Sequence, residues 1–181
     1  MSGIRPSGLR RAAILLVLRA AVAAAAEVHA PEYEVKAAFL YNFAKFVEWP
    51  PGSERNAHAF RICLVGDDPF GPLLTETVAG KTVQNRPIEI AHPDSAPELG
   101  QCHMAFISRS QVRQLPRLLA GLAGASTLTV GETEDFAREG GMITFHIEEN
   151  KVRFEINAEA AQRAGLRISS QLLKLATRVT Q

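Results

Sequence analysis

Long apolar runs, dense basic blocks and paired histidines are all missing from this sequence, and each absence removes a class of function. The unbroken apolar run from Ala12 to Leu18 falls far below the ~20 residues that span a bilayer, which argues against a membrane anchor. Only two tyrosines and no Lys/Arg block leave no electrostatic footprint for a nucleic-acid partner. His29, His58, His92, His103 and His146 are scattered, with no pair at metal-binding spacing. Ser169-Ser170 lacks the elbow motif of a nucleophilic serine. With no catalytic set, metal site or cofactor loop, the chain reads as a non-enzymatic protein that works through binding.

What is present begins with an export signal. Arg5, Arg10 and Arg11 precede the apolar run, and the small-residue tract Ala20 to Ala26 follows it, the layout of a secretory signal peptide. Cleavage after Ala26 or after Ala30 satisfies the small-x-small rule, leaving residues 27–181 as a single periplasmic domain with no membrane insertion of its own. Residues 1–26 hold four arginines and no acid, so the remainder carries 16 basic and 19 acidic residues, a net charge of −3.

The two cysteines, Cys63 and Cys102, both lie beyond that signal, and an even count in an oxidising compartment reads as one disulfide. On the chain-entropy view, closing such a loop contributes roughly 4 kcal/mol, a large share of a small domain's stability.

The spacing predicts a helix over Glu32–Val47, with Val35, Phe39, Phe43 and Phe46 as its buried stripe, broadened by Leu40, Ala44 and Val47. Phe60–Val65 is a continuous apolar strand, and Asp68 and Pro69 are suited to cap and begin the helix after it. Further strands are expected at Pro87–Ala91, His103–Ile107 and Leu128–Val130, with a helix over Gln111–Ala123 capped by Ser110. Met142–Glu148 and Val152–Ile156 read as an antiparallel hairpin turning at Glu149-Asn150-Lys151. Asn157 caps a short helix ending at Gly165, and a last helix is expected from Ser169 to Val179 with Ile168, Leu172, Leu175 and Val179 on one face. Strands alternating with helices up to Gly141 imply an α/β fold of three layers, a doubly wound, mostly parallel sheet with a C-terminal antiparallel hairpin.

Ligands of such sheets gather at the carboxyl ends of the strands. These ends present Gly66, Asp67 and Asp68, then Ser108, Arg109 and Ser110, then Gly131 and Glu132. Asp67, Asp68, Ser108 and Arg109 are therefore the candidate ligand pocket. The acidic pair would repel a phosphate, and no third aspartate follows Ile107 to complete a phosphoacceptor site.

The run Tyr33 to Pro50 (YEVKAAFLYNFAKFVEWP), Ile62 to Gly66, Gly140 to Ile143 and Ile168 to Leu173 together resemble the YfiR family, over nearly the whole chain beyond the signal. The resemblance implies a periplasmic regulator that binds the periplasmic part of an inner-membrane diguanylate cyclase of the YfiN type and holds it inactive. Cyclic di-GMP signalling and biofilm formation would then be restrained. It also implies a homodimer that responds to periplasmic redox state. Some members carry a second cysteine pair around the glycine-rich region, whereas residues 136–150 here contain none, so a redox switch could use only Cys63 and Cys102. Relatives without an evident cyclase imply other membrane sensors as partners, and a periplasmic small-molecule-binding sensor module is the second reading of the strand-end residues.

Overall fold

A computed structural model describes residues 31–52, 58–94 and 96–180. The expected signal peptide, residues 1–26 with its two cleavage positions, lies outside the described residues. Helix α1 covers residues 31–46 and runs into β1 (Val47–Glu48). The strand β2 (Phe60–Val65) leads through α2 (Pro72–Val78) and the short β3 (Thr82–Val83) to β4 (Arg86–Ala91). A one-turn α3 (Ala96–Leu99) then returns the chain to β5 (Met104–Ile107). After β5 come a 3-10 segment (Arg109–Gln114), α4 (Leu115–Gly121) and β6 (Leu128–Gly131). The hairpin β7 (Ile143–Glu148) and β8 (Lys151–Asn157) precedes α5 (Ala158–Arg163), β9 (Arg167–Ile168), α6 (Ser170–Leu175) and β10 (Arg178–Thr180).

Among the described residues eight strands form one sheet in the order β10-β8-β7-β6-β5-β2-β4-β3. Pairing is parallel except at the β7–β8 hairpin and the β3–β4 edge. The small separate sheet β1–β9 fastens the end of α1 to the start of α6.

Alternation along the central strands builds the three expected layers. Ile62 and Leu64 of β2, Met104 and Phe106 of β5 and Leu128 and Val130 of β6 share one core with α1, α2, α5 and α6. Their neighbours Cys63, Val65, Ala105 and Ile107 share the other with Leu99, Leu115, Leu122 and Phe136. Strands buried on both sides read as continuous apolar runs, which is why FRICLV and MAFI were legible. On the first face Phe39 and Phe43 meet Phe145 and Phe154 with ring centroids 5.0 to 6.0 Å apart.

The chain returns from β6 to β7 without a helix, and Phe136 in that loop lies against Gly131 and Gly141, where any added Cβ would collide with its ring. Gly131→Ala should therefore cost about 1–3 kcal/mol through overpacking. Thermal unfolding of the variant checks this, and a smaller residue at 136 should restore part of the loss.

Several local expectations are corrected. Helix α2 begins at Pro72, with Gly71 at its cap position, because the Asp68 carboxylate accepts from the Phe70 and Gly71 amides and closes a turn ahead of the helix. The Ser110 hydroxyl accepts from the Asp67 amide instead of capping, and Ser108 takes the cap position. The buried stripe of α1 centres on Leu40, Phe43, Ala44 and Val47, leaving Val35 43% exposed. The last helix stops at Leu175, and residues 178–180 pair with β8 as an edge strand. The β-branched run Thr177, Val179 and Thr180 suits a pleated edge better than a helix. Asn157 and Ser169 do cap, accepting from the Ala160 and Leu172 amides.

Candidate functional site

The carboxyl end of β2 turns one way, toward α2 and β4, and that of β5 turns the other, toward β6, so the topological switch point lies between them. The two loops close this crevice on each other. Gly66, at φ 89°, leaves room for Ser108 and Ser110, whose hydroxyls lie 2.8 Å apart. A Cβ on Gly66 would stand 2.7 Å from the Ser108 oxygen. Asp67 and Asp68 are exposed, Ser108 is buried, and the Arg109 side chain leaves the crevice altogether. The four candidates, two pairs of sequence neighbours, thus take separate places and do not converge on one pocket.

Arg109 turns to the next strand end, where Glu132 follows β6. Its Nε stands 3.4 Å from the Glu132 carboxylate. The same carboxylate takes the ammonium of Lys36, which reaches in from α1 and also pairs with Glu32 one turn earlier. Lys36 and Glu132 are almost fully enclosed, their side chains 1% and 2% exposed. Two cations and two carboxylates balance, which is what makes burial of these charges tolerable. The Lys36 ammonium also lies 4.5 Å from the centroid of the Tyr33 ring. Glu132 was visible at a strand end. Lys36, Tyr33 and Glu32 were missed, although Lys36 stands four residues before Leu40 and seven before Phe43, on the buried stripe of the helix.

The Tyr33 hydroxyl donates to both oxygens of Glu132, at 3.1 and 3.2 Å. Burial first, then the Glu132 charge and the hydrogen bond to it, then Glu32, hold this phenol well above its ordinary 10.0, with Arg109 pulling the other way. The raised value means the folded state keeps the proton after the unfolded chain has lost it. The corresponding stability is complete below pH 10.0 and drains away as pH rises beyond it. In denaturant titrations, Tyr33→Phe should flatten this alkaline decline.

Beside the cluster lies an open groove of about 830 Å³ above the short strand β6, lined by Arg109 and Val112 on one side and by Thr144 to Glu148 of β7 on the other. Among the described residues no three His, Cys, Asp or Glu side chains converge as a metal would require, and no helix is long and apolar enough to cross a membrane.

The second predicted feature is present. Cys63 in β2 and Cys102 just before β5 form a disulfide with Cα atoms 5.9 Å apart, both buried in the second core. β2 and β5 are hydrogen-bonded neighbours, but their register pairs Cys63 with Ala105, so the turn ahead of β5, where the Cys102 amide donates to the Leu99 carbonyl, is what brings Cys102 to Cys63. The Thr127 hydroxyl donates to the Cys102 carbonyl at 2.8 Å and ties the bridge to the approach of β6.

Fold and site together define a doubly wound α/β domain whose strand-end site is filled by its own ion cluster. The YfiR/HmsC-like family matches residues 33–177, and the chain belongs to that family. Its members are periplasmic regulators of diguanylate cyclase signalling, regulatory in role and not catalytic. Among solved structures, a conserved domain protein from Vibrio cholerae O1 biovar El Tor is similar in fold, with a TM-score of 0.50, 13% identity, and coverage of 71% of this chain and 57% of that one. A Streptococcus pneumoniae ABC domain in complex with L-Trp aligns with a TM-score of 0.48 and 12% identity over 66% of this chain and 54% of its own. The chain spans less than two thirds of either protein.

Proposed function

We propose that this protein is exported by a signal peptide at residues 1–26, acts in the periplasm as a homodimer, and represses an inner-membrane diguanylate cyclase of the YfiN type by binding its periplasmic part. The observation that carries this reading is family membership across residues 33–177. No chemistry is needed for such repression. A preference of about 2.7 kcal/mol for the inactive receptor over the active one shifts their balance about a hundredfold.

The test is cyclic di-GMP synthesis from GTP by inner-membrane vesicles carrying the cyclase, with purified protein added to the periplasmic face. Synthesis should fall as the protein saturates its site; unchanged synthesis at saturating protein would overturn the reading. A second reading, a sensor for a small solute, is favoured by one observation: Arg109, a strand-end candidate with its side chain 64% exposed, borders the groove above β6. A metabolite that raises the melting temperature of the native protein but not of Arg109→Ala would support it.

A further inference from the structure

The groove above β6 is a gap in the rim of the sheet. β6 ends at Gly131, opposite Thr144, whereas β7 continues to Glu148 in partnership with β8 alone. The two-residue turn Glu149-Asn150, both at positive φ, closes on the pair Glu148 and Lys151, which is therefore a hydrogen-bonded pair. Such pairs alternate, so the main-chain N–H and C=O of Ile147 point away from β8, toward the side that β6 has vacated. An open strand edge of this kind is a template for another extended chain.

Three observations describe what fits there. Ile147 and Val112 are 47% and 52% exposed, two of the large apolar side chains left at the surface, and both border this one groove. The buried Thr144 hydroxyl on its floor has no hydrogen-bond partner. Carboxylates dominate the lining: Arg109 and Arg178 pair with Glu132 and Glu155, while Glu134 and Glu148 face solvent and form no ion pair among the described residues.

We infer that this gap is the docking site for an extended segment of the receptor, which continues the sheet along β7 by pairing with Ile147, sets an apolar side chain against Ile147 and Val112, and places Lys or Arg side chains on Glu134 and Glu148. The inference rests on the regulator reading and names its contact surface. Main-chain bonds supply the affinity of such an added strand, and the alternating pockets and charges supply its selectivity.

The experiment uses the purified protein and two synthetic peptides, one alternating Lys and Val, the other Glu and Val. The basic peptide should slow hydrogen exchange of the Ile147 amide at least about tenfold and bind at least about tenfold tighter than the acidic one. That advantage should vanish in Glu134→Lys/Glu148→Lys, whose changes lie at the exposed rim. Equal binding of the two peptides, or an Ile147 amide that stays unprotected, overturns the inference. So does protection that grows with protein concentration in the absence of peptide, which would seat a second copy of this chain in the gap. None of these readouts involves the cyclase, so failure here leaves the regulator reading to its own assay.

Discussion

Lys36→Met lowers the stability of the domain by about 3–5 kcal/mol, the loss expected when one half of a buried ion pair is removed. The size follows from what remains behind. The Glu132 carboxylate, its side chain 2% exposed, is left with only the rim residue Arg109 as a cation, while Glu32 loses its partner as well. Breaking one half of a buried pair is far costlier than removing both halves, because the surviving ion has lost its water without compensation. The double variant Lys36→Met/Glu132→Gln should therefore regain most of the loss, its amide still able to accept from Tyr33. Arg109→Ala should cost less than about 1 kcal/mol, since its side chain is 64% exposed and solvent screens the pair. Denaturant unfolding of the four proteins decides the matter. A single-variant cost below about 1 kcal/mol would show that the cluster is not a structural centre.

Removal of the Cys63–Cys102 bridge should lower stability by roughly 4 kcal/mol, because the bond closes a loop with a sequence separation of 39. For a domain of this size that corresponds to a melting temperature lower by about 10 °C or more. The Cys63→Ala/Cys102→Ala variant and the reduced wild-type protein should agree, since both free the same loop. A reduced protein that melts within about 2 °C of the oxidised one would exclude a stabilising role for the bond. Comparing cyclase repression by the oxidised and reduced proteins at a temperature where both remain folded then separates stability from signalling. A bond acting only as a staple leaves repression unchanged.

The features legible in the chain are those in which local chemistry and final environment agree. Phe60–Val65 is apolar at nearly every position because it is buried on both faces, and the positive-φ turn at Glu149-Asn150 marks its own hairpin. Asn157 and Ser169 announce their helices by residue type. The errors lie where neighbours overrule local preference. Val179 continues the helical stripe of Leu172 and Leu175 past the true end of α6, because nothing within that stretch records that β8 offers an open edge for residues 178–180. Val35 shares helical spacing with Phe39, which points to the core, yet the helix is rotated so that Lys36 faces inward.

By itself, the sequence determined the α/β class, the order of the central elements, the cysteine pair and the family, since hydrophobic periodicity, turn residues and motif order are all properties of neighbouring residues. Only the tertiary structure decided which charges meet. Glu132 lies 96 residues beyond Lys36, and their pairing requires α1 to cross the carboxyl end of β6. The same is true of the gap beside β7, which exists because β6 stops short while the hairpin runs on, a difference in strand length that is visible only once the strands stand side by side.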